Sequence, residues 1–378
     1  TGVVARLMAA SDIGGQDIES DLVAHVLAAY ALRHSLAIQY LHEIYMQDNM
    51  AQARAPTAGK GKKEKGDKEV VPARYTHVLH SLVDGLIKVA CSGEGEVGAA
   101  DGQRHLIKLL SDVPVIDIGT MNRVTKLCDD ENKQHRQAGM SCLRALIVHQ
   151  NAWRLDCLSR LLKYTVAKDE GIRSPAIRLV ANKLFGLSYL TQHIRDFAIA
   201  NLRKACQLPH DEALDPSRKE VSMRDPGIVK QEGGEGEVVR HYMHLFMALC
   251  AQKHEMLHAL IETYVQATSG VRSAVQASIT DMIKAIGAES SVLLSIMADV
   301  PKGAELLLLA FVRTLTEQGN PGQHKRLLDA IKALYARMGD ARFMIYICSA
   351  LSRSEVEEQV RVVGEHARVL LQQAVDCL

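Results

Sequence analysis

Apolar residues recur along almost the whole chain with the period of an α-helix, and the two-residue alternation of a strand is almost absent. In "RHSLAIQYLHEIYMQ", Leu36, Tyr40, Leu41, Ile44 and Tyr45 fall on one face, because helical side chains three to four positions apart lie over one another. Leu143, Leu146 and Ile147 repeat the pattern, as do Leu158, Leu161, Leu162 and Val166, and then Leu327, Leu328, Ile331 and Leu334. Aromatic residues make up only 4% of the chain, with a single Trp, whereas sheets favour aromatic and β-branched side chains. At 378 residues the chain exceeds what one core usually serves, so two domains or an array of small units is expected. Short breaks between helices imply antiparallel neighbours.

Three stretches interrupt the pattern. "ARAPTAGKGKKEKGDKEVVPAR" (53–74) is rich in Lys and Gly and buries too little apolar surface to offset chain entropy. "SGEGEVGAADG" (92–102) reads as a flexible acidic loop, and residues 207–237 form a polar insertion with three prolines. The expected organisation is a helical segment at 1–50, a disordered linker at 51–74, HEAT-like repeats at 75–206, a flexible insertion at 207–237 and a helical domain at 238–378. The helices at 18–50 are expected to form a separate docking hairpin, loosened by the linker. The chain begins at Thr1 and ends in a helical pattern, as a fragment of a longer protein does.

A faint repeat runs through the helices. "HRQAGMSCLRAL" (135–146), "IRSPAIRLVANKL" (172–184), "VRSAVQASITDMI" (271–283) and "ARFMIYICSAL" (341–351) each set an Arg before helical apolar spacing. The arginines are Arg136, Arg173, Arg272 and Arg342, separated by 37, 99 and 70 residues. With the insertion removed, these separations fit a period of about 35 to 40 residues, the length of a two-helix HEAT or armadillo unit. The expected fold is therefore all-α, a HEAT/armadillo-like helical-repeat solenoid, with an irregular helical bundle as the alternative.

The motifs that suggest chemistry are weak. "HEMLH" (254–258) fits H-E-x-x-H, in which two histidines one turn apart bind Zn²⁺ and the glutamate is the general base. A zinc peptidase needs a third ligand, and the places where a metzincin carries Gly and His hold Ile261 and Tyr264. His254, Glu255 and His258 are better read as the polar flank of an amphipathic helix; His241, His244 and Cys250 nearby leave an adventitious metal site conceivable. "GEGEVG" (93–98) lacks the strand that a dinucleotide fingerprint requires. "GKGKK" (59–63) lacks the glycine spacing and Ser/Thr of a phosphate loop and reads as a solvated linker, with transient contact to RNA or an acidic partner as the functional alternative. A formal charge of +1 gives no global attraction to nucleic acid or membrane. The eight cysteines include no C-x-x-C pair, which argues against a zinc ribbon and suits a reducing compartment. No apolar run is long enough to span a bilayer.

Residues 300–356, with "PKGAE" (301–305), "LYARMGDARF" (334–343) and "SALSRSEV" (349–356), resemble the C-terminal domain of the symplekin family. "RHSLAIQYLHEIY" (33–45), "MSCLRALI" (140–147), "IRSPAI" (172–177) and "MHLFMALCAQKHEMLHAL" (243–260) fall in that family's order too. The resemblance implies a nuclear, non-enzymatic helical-repeat scaffold of pre-mRNA 3′-end processing, with no cofactor. Its implied partners are the nuclease subunit of the cleavage and polyadenylation specificity factor, that subunit's inactive homologue, and the hinge of the cleavage stimulation factor. Neither sequence-specific nucleic-acid binding nor a membrane is implied. The family's phosphatase-docking N-terminal domain has no counterpart here. The Lys/Gly-rich and Gly/Glu-rich stretches depart from the family's pattern. Lys302, Arg313, Arg326 and Arg342 are the candidate partner contacts on the last helices.

Overall fold

In a computed structural model of the chain, every regular element among the described residues is a helix. Those residues are 15–54, 71–91, 96–206, 235–299, 301–317, 324–340 and 342–357, with positions 2, 5, 6, 9 and 361 besides. Most of the expected linker (55–70) and insertion (207–234) therefore lies outside them. The chain divides into two compact units, Thr1–Tyr164 with Asp169–Leu179, and Thr165–Lys168 with Val180–Leu378.

The first unit holds α1 (Gly15–Ala28), α2 (Tyr30–Arg54), α3 (Ala73–Cys91), α4 (Glu96–Asp112), α5 (Ile118–Cys128), α6 (Lys133–His149), α7 (Arg154–Tyr164) and α8 (Glu170–Leu179). Apart from α4 and α5, each helix packs on the next in sequence, and α1 packs on α3, α2 on α4, α3 on α5, α4 on α6 and α6 on α8. The apolar stripes read from the sequence face inward: Tyr40, Leu41, Ile44, Leu143, Leu146, Ile147, Leu158, Leu161 and Leu162 are all buried.

Polar side chains tie these pairs together at a nearly constant separation in sequence. Tyr75 donates to the Val115 carbonyl 40 residues on, His80 meets Asp117 at 37, and Arg123 meets Asp84 at 39. Gln150 donates to Val113 O and the Trp153 indole to Ile116 O, both 37 apart. Tyr164 donates to Asp129 at 35, and Arg136 to Asp169 at 33. His34 meets Asp112 at 78, two such steps. These links also give partners to carbonyls between helices that water would otherwise have to satisfy.

The second unit opens with a π-helical turn, Val180–Leu184, closed by Phe185 N–H on Val180 O at 2.9 Å. There follow α9 (Ser188–Cys206), α10 (Glu235–Cys250), a 3₁₀ turn at His254–Met256, α11 (Leu257–Gln266), α12 (Ser269–Ser278) and α13 (Thr280–Ile286). Next come α14 (Ser291–Ala298), α15 (Glu305–Glu317), α16 (Lys325–Met338), α17 (Arg342–Ile345) and a 3₁₀ turn at Cys348–Ala350. α10 packs on α9, α12 and α13, and Met243, Leu245, Phe246, Met247, Leu249 and Cys250 bury nearly its whole circumference. The same offset recurs here: His254 to Ser290 is 36 residues, Glu289 to His324 is 35, and Met297 O to Arg337 is 40.

Several arginines reach back onto the carbonyls of a preceding helix's last turn, where the helix dipole favours a cation. Arg33 donates to His25 O, Arg154 to Ile147 O, and Arg272 to both Tyr264 O and Val265 O. Of the four arginines that mark the sequence repeat, Arg272 shows this use. Arg136 pairs with Asp169 at 2.6 Å, Arg173 is buried, and Arg342 stays on its neighbour Asp340.

Three expectations are corrected. The stretch 92–102 is not a loop throughout: α4 starts at Glu96. Its Gly102 answers a packing need, since a Cβ there would fall 2.7 Å from Ala90 N and 2.8 Å from Ala90 Cα on α3. The expected linker is helical at both ends, with α2 continuing to Arg54 and α3 starting at Ala73; Pro72 O accepts from both the Thr76 N–H and its hydroxyl. The first two helices are not a separate hairpin, because α1 and α2 both pack on α3 and Arg74 of α3 grips Glu19 of α1 at 2.5 Å.

Asp117 sets an acid limit on the first unit. It caps α5, accepting from Gly119 N–H, Thr120 N–H and the Thr120 hydroxyl, and it also meets His80. Burial pushes its carboxyl up, but the hydrogen bonds from Thr120 and His80 outweigh burial and hold it below the ordinary value. A carboxyl whose pKa is depressed by folding stabilises above its unfolded pKa, about 3.9, and that contribution is lost as pH falls through the folded value. Asp117→Asn keeps a capping oxygen. We expect it to cost about 1 kcal/mol at neutral pH and to flatten the fall in melting temperature below about pH 4. Parallel acid limbs in mutant and parent would contradict this.

Candidate interaction surface

The HEMLH stretch does not form the metal-binding turn of a peptidase. His254 belongs to the 3₁₀ turn and α11 starts only at Leu257, so the two histidines straddle a change of helix type. His254 Nδ1 lies 2.8 Å from Ser290 Oγ, the oxygen that caps α14 through Leu293 N–H. Glu255 and His258 are exposed. Ile261 and Tyr264 are buried, and the Tyr264 hydroxyl accepts from Gln276 at 2.6 Å. Among the described residues, no three His, Cys, Asp or Glu side chains gather where they could hold a metal ion. His241 and His244 stand with ring centroids 6.4 Å apart, and Cys250 is buried.

His254 thus acts as a tie between a turn and a helix start, 36 residues on. His254→Ala is expected to cost about 1 kcal/mol, the worth of one side-chain hydrogen bond. Glu255→Ala and His258→Ala should each stay within about 0.5 kcal/mol of the parent. Urea unfolding of the three variants checks this; equal losses in all three, reversed by added zinc, would restore the metal reading.

The thiols are placed as small apolar side chains. Cys128, Cys142, Cys157, Cys206 and Cys250 are buried and free. Burial pushes Cys128 and Cys157 up to about 12 and Cys206 up to about 11, far from the range of a reactive thiolate. Two open grooves occur in the second unit. One, of about 360 Å³, is lined by Arg203, Cys206, Glu262, Thr263 and Gln266. The other, of about 300 Å³, lies between the start of α9 and the HEMLH turn, with Arg195, Lys253 and Glu255 on its walls.

One surface suited to a partner is the outer side of α15. Its buried stripe is Leu307, Leu308, Phe311, Val312 and Leu315. Leu306, Ala310, Arg313 and Glu317 follow one another at spacings of three and four on the other side, with Leu309 beside them. Leu306 is 48% exposed, and Lys302 stands exposed in the turn before the helix. α17 packs on α15 and leaves Ile345 65% exposed. Apolar side chains with cations on either side make a surface that pairs with an amphipathic segment bearing acidic flanks.

The four basic residues chosen from the sequence differ in their surroundings. Lys302 and Arg326 are exposed. Arg313 bridges Glu317 at 2.8 Å in an i,i+4 pair. Arg342 binds both carboxylate oxygens of Asp340 and holds that carboxyl below its ordinary value. The sequence reading missed Leu306 and Ile345, because "ELLLLAF" offers four leucines in a row and periodicity alone does not say which one faces out. No family model matches the chain.

Proposed function

We propose that this chain is a non-enzymatic scaffold of mRNA 3′-end processing in the nucleus, the role that its resemblance to the symplekin family implies. In this reading it is a helical-repeat solenoid. It holds the nuclease subunit of the cleavage and polyadenylation specificity factor beside that subunit's inactive homologue and docks the hinge of the cleavage stimulation factor. The observation that carries the reading is the apolar and basic outer side of α15 with Ile345 of α17. It lies inside residues 301–345, within the stretch where the resemblance is strongest. The recurring offset of 33 to 40 residues between linked side chains supports stacked helix pairs. Such stacks expose long surfaces and lose little conformational entropy on binding.

The test is co-purification of the chain with the C-terminal domains of the matching nuclease pair by size-exclusion chromatography. A stable co-eluting complex, weakened by Leu306→Asp, supports the reading. Separate elution of well-folded components overturns the assignment to this pathway.

A further inference from the structure

The last described residues carry a feature that the scaffold reading does not use. "SRSEVE" (352–357) places two serines two residues apart, each with a glutamate three positions on: Glu355 for Ser352 and Glu357 for Ser354. On sequence alone the two are equivalent acceptors for a kinase that reads acidic residues after the serine.

The structure separates them. Ser352 donates to Glu355 Oε2 through its N–H at 2.8 Å and its hydroxyl at 2.7 Å, a capping arrangement. The other oxygen of Glu355 takes Lys332 Nζ of α16 at 2.6 Å. The hydroxyl of Ser352 and its own downstream glutamate are thus bound to each other and to a neighbouring helix. Ser354 is exposed. Its hydroxyl lies 3.2 Å from Ser352 Oγ; since Ser352 spends its proton on Glu355, Ser354 is the donor. Glu357, three residues on, is 66% exposed and among the described residues meets the 94% exposed Arg353 in an i,i+4 pair, an interaction that contributes little and yields easily. Residues 353–357 follow a 3₁₀ turn as the start of a helix, and a surface helix start opens at lower cost than a packed interior.

We propose that Ser354 is a phosphorylation site for a serine/threonine kinase that selects acidic residues C-terminal to its target, with Ser352 protected by its own cap. In the reaction, Ser354 Oγ attacks the γ-phosphorus of ATP. The Oγ–P bond forms, the bond from the γ-phosphorus to the β,γ-bridging oxygen breaks, the hydroxyl proton passes to the kinase's base, and ADP leaves. The product carries about −1.5 to −2 charge at neutral pH, set beside Glu355 and its link to Lys332. This inference does not rest on the scaffold assignment.

The experiment treats the purified full chain with an acidophilic serine/threonine kinase and Mg-ATP, and locates phosphate by mass spectrometry. One phosphate per chain on Ser354 is expected. Ser354→Ala should abolish it, Ser352→Ala should retain it, and Glu357→Gln should slow incorporation about tenfold. Phosphate on Ser352 in the parent, or a rate indifferent to Glu357→Gln, overturns the proposal. So does failure of the folded chain to accept phosphate, whether or not a peptide of residues 348–361 accepts it.

Discussion

Arg74→Met is expected to destabilise the first unit by about 2–3 kcal/mol, somewhat less than breaking a fully buried ion pair costs, because the arginine is itself partly exposed. Glu19 keeps only 8% of its side chain exposed, against 32% for Arg74. Arg74 Nε holds Glu19 at 2.5 Å, and its other nitrogens reach Ala9 O at 3.0 Å and the Tyr40 hydroxyl at 3.4 Å. One side chain of α3 therefore joins the N-terminal residues, α1 and α2. His77 also lies near Glu19, at 3.8 Å, too long for a strong bond. Removing Arg74 leaves a carboxylate in a nearly dry site without its main donor, and that desolvation is the larger part of the cost. The lone tryptophan, Trp153, lies in this unit, so urea unfolding followed by its fluorescence reads the unit directly. The double change Glu19→Leu with Arg74→Met should recover much of the loss, since an apolar pair of similar size often replaces a buried ion pair at little cost. A single change that left the midpoint unmoved would mean that α1 and α2 stand apart from α3 after all.

The second large effect is a reversal of sign at two glycines of one helix. Glycine to alanine inside an exposed helix stabilises by up to about 1 kcal/mol. Gly98→Ala in α4 should follow that rule, for nothing lies within 4 Å of the added methyl. Gly102→Ala should instead destabilise by about 1–3 kcal/mol, as inserting a methylene into a packed contact does. The methyl meets the backbone of α3 at Ala90, which cannot swing aside as a flexible side chain does, so the two helices must part. Gly139 repeats the device in α6, where a Cβ would fall 2.7 Å from Cys128 Sγ and 2.8 Å from Cys128 N of α5. Melting of both alanine variants decides the matter; a gain in both would remove the close approach of α3 and α4 from the account.

These glycines show where sequence reading stopped. The helical class was legible because Tyr40, Leu41, Ile44 and their counterparts keep the 3.6-residue period wherever a face is buried. A glycine is read locally as a loop signal, whereas the demand for Gly102 comes from a backbone on another helix. Arg74 was lost for a related reason. It follows a Lys/Gly-rich stretch, and its partner Glu19 lies 55 residues away. A recurrence of 35 to 40 residues was suggested by arginines, of which Arg272 reaches the end of the preceding helix while Arg136 and Arg342 pair with aspartates. The side chains that carry the offset are Tyr75, His80, Gln150 and Trp153, of mixed chemistry, with no repeated letter to mark them. On the outer surface the loss was greatest. Lys302 and Arg326 were found because charged side chains point to solvent, while Leu306 and Ile345 look in the sequence like any other core residues.

The central claim, that this chain binds its partners through the outer side of the last helices, is tested most directly by hydrogen–deuterium exchange. The chain would be followed alone and with the C-terminal domains of the nuclease pair. The account expects slowed exchange in peptides spanning residues 302–317 and 342–345, with the buried α10 unchanged. Exchange that is identical with and without the folded pair in every peptide, or protection confined to the first unit, would contradict it.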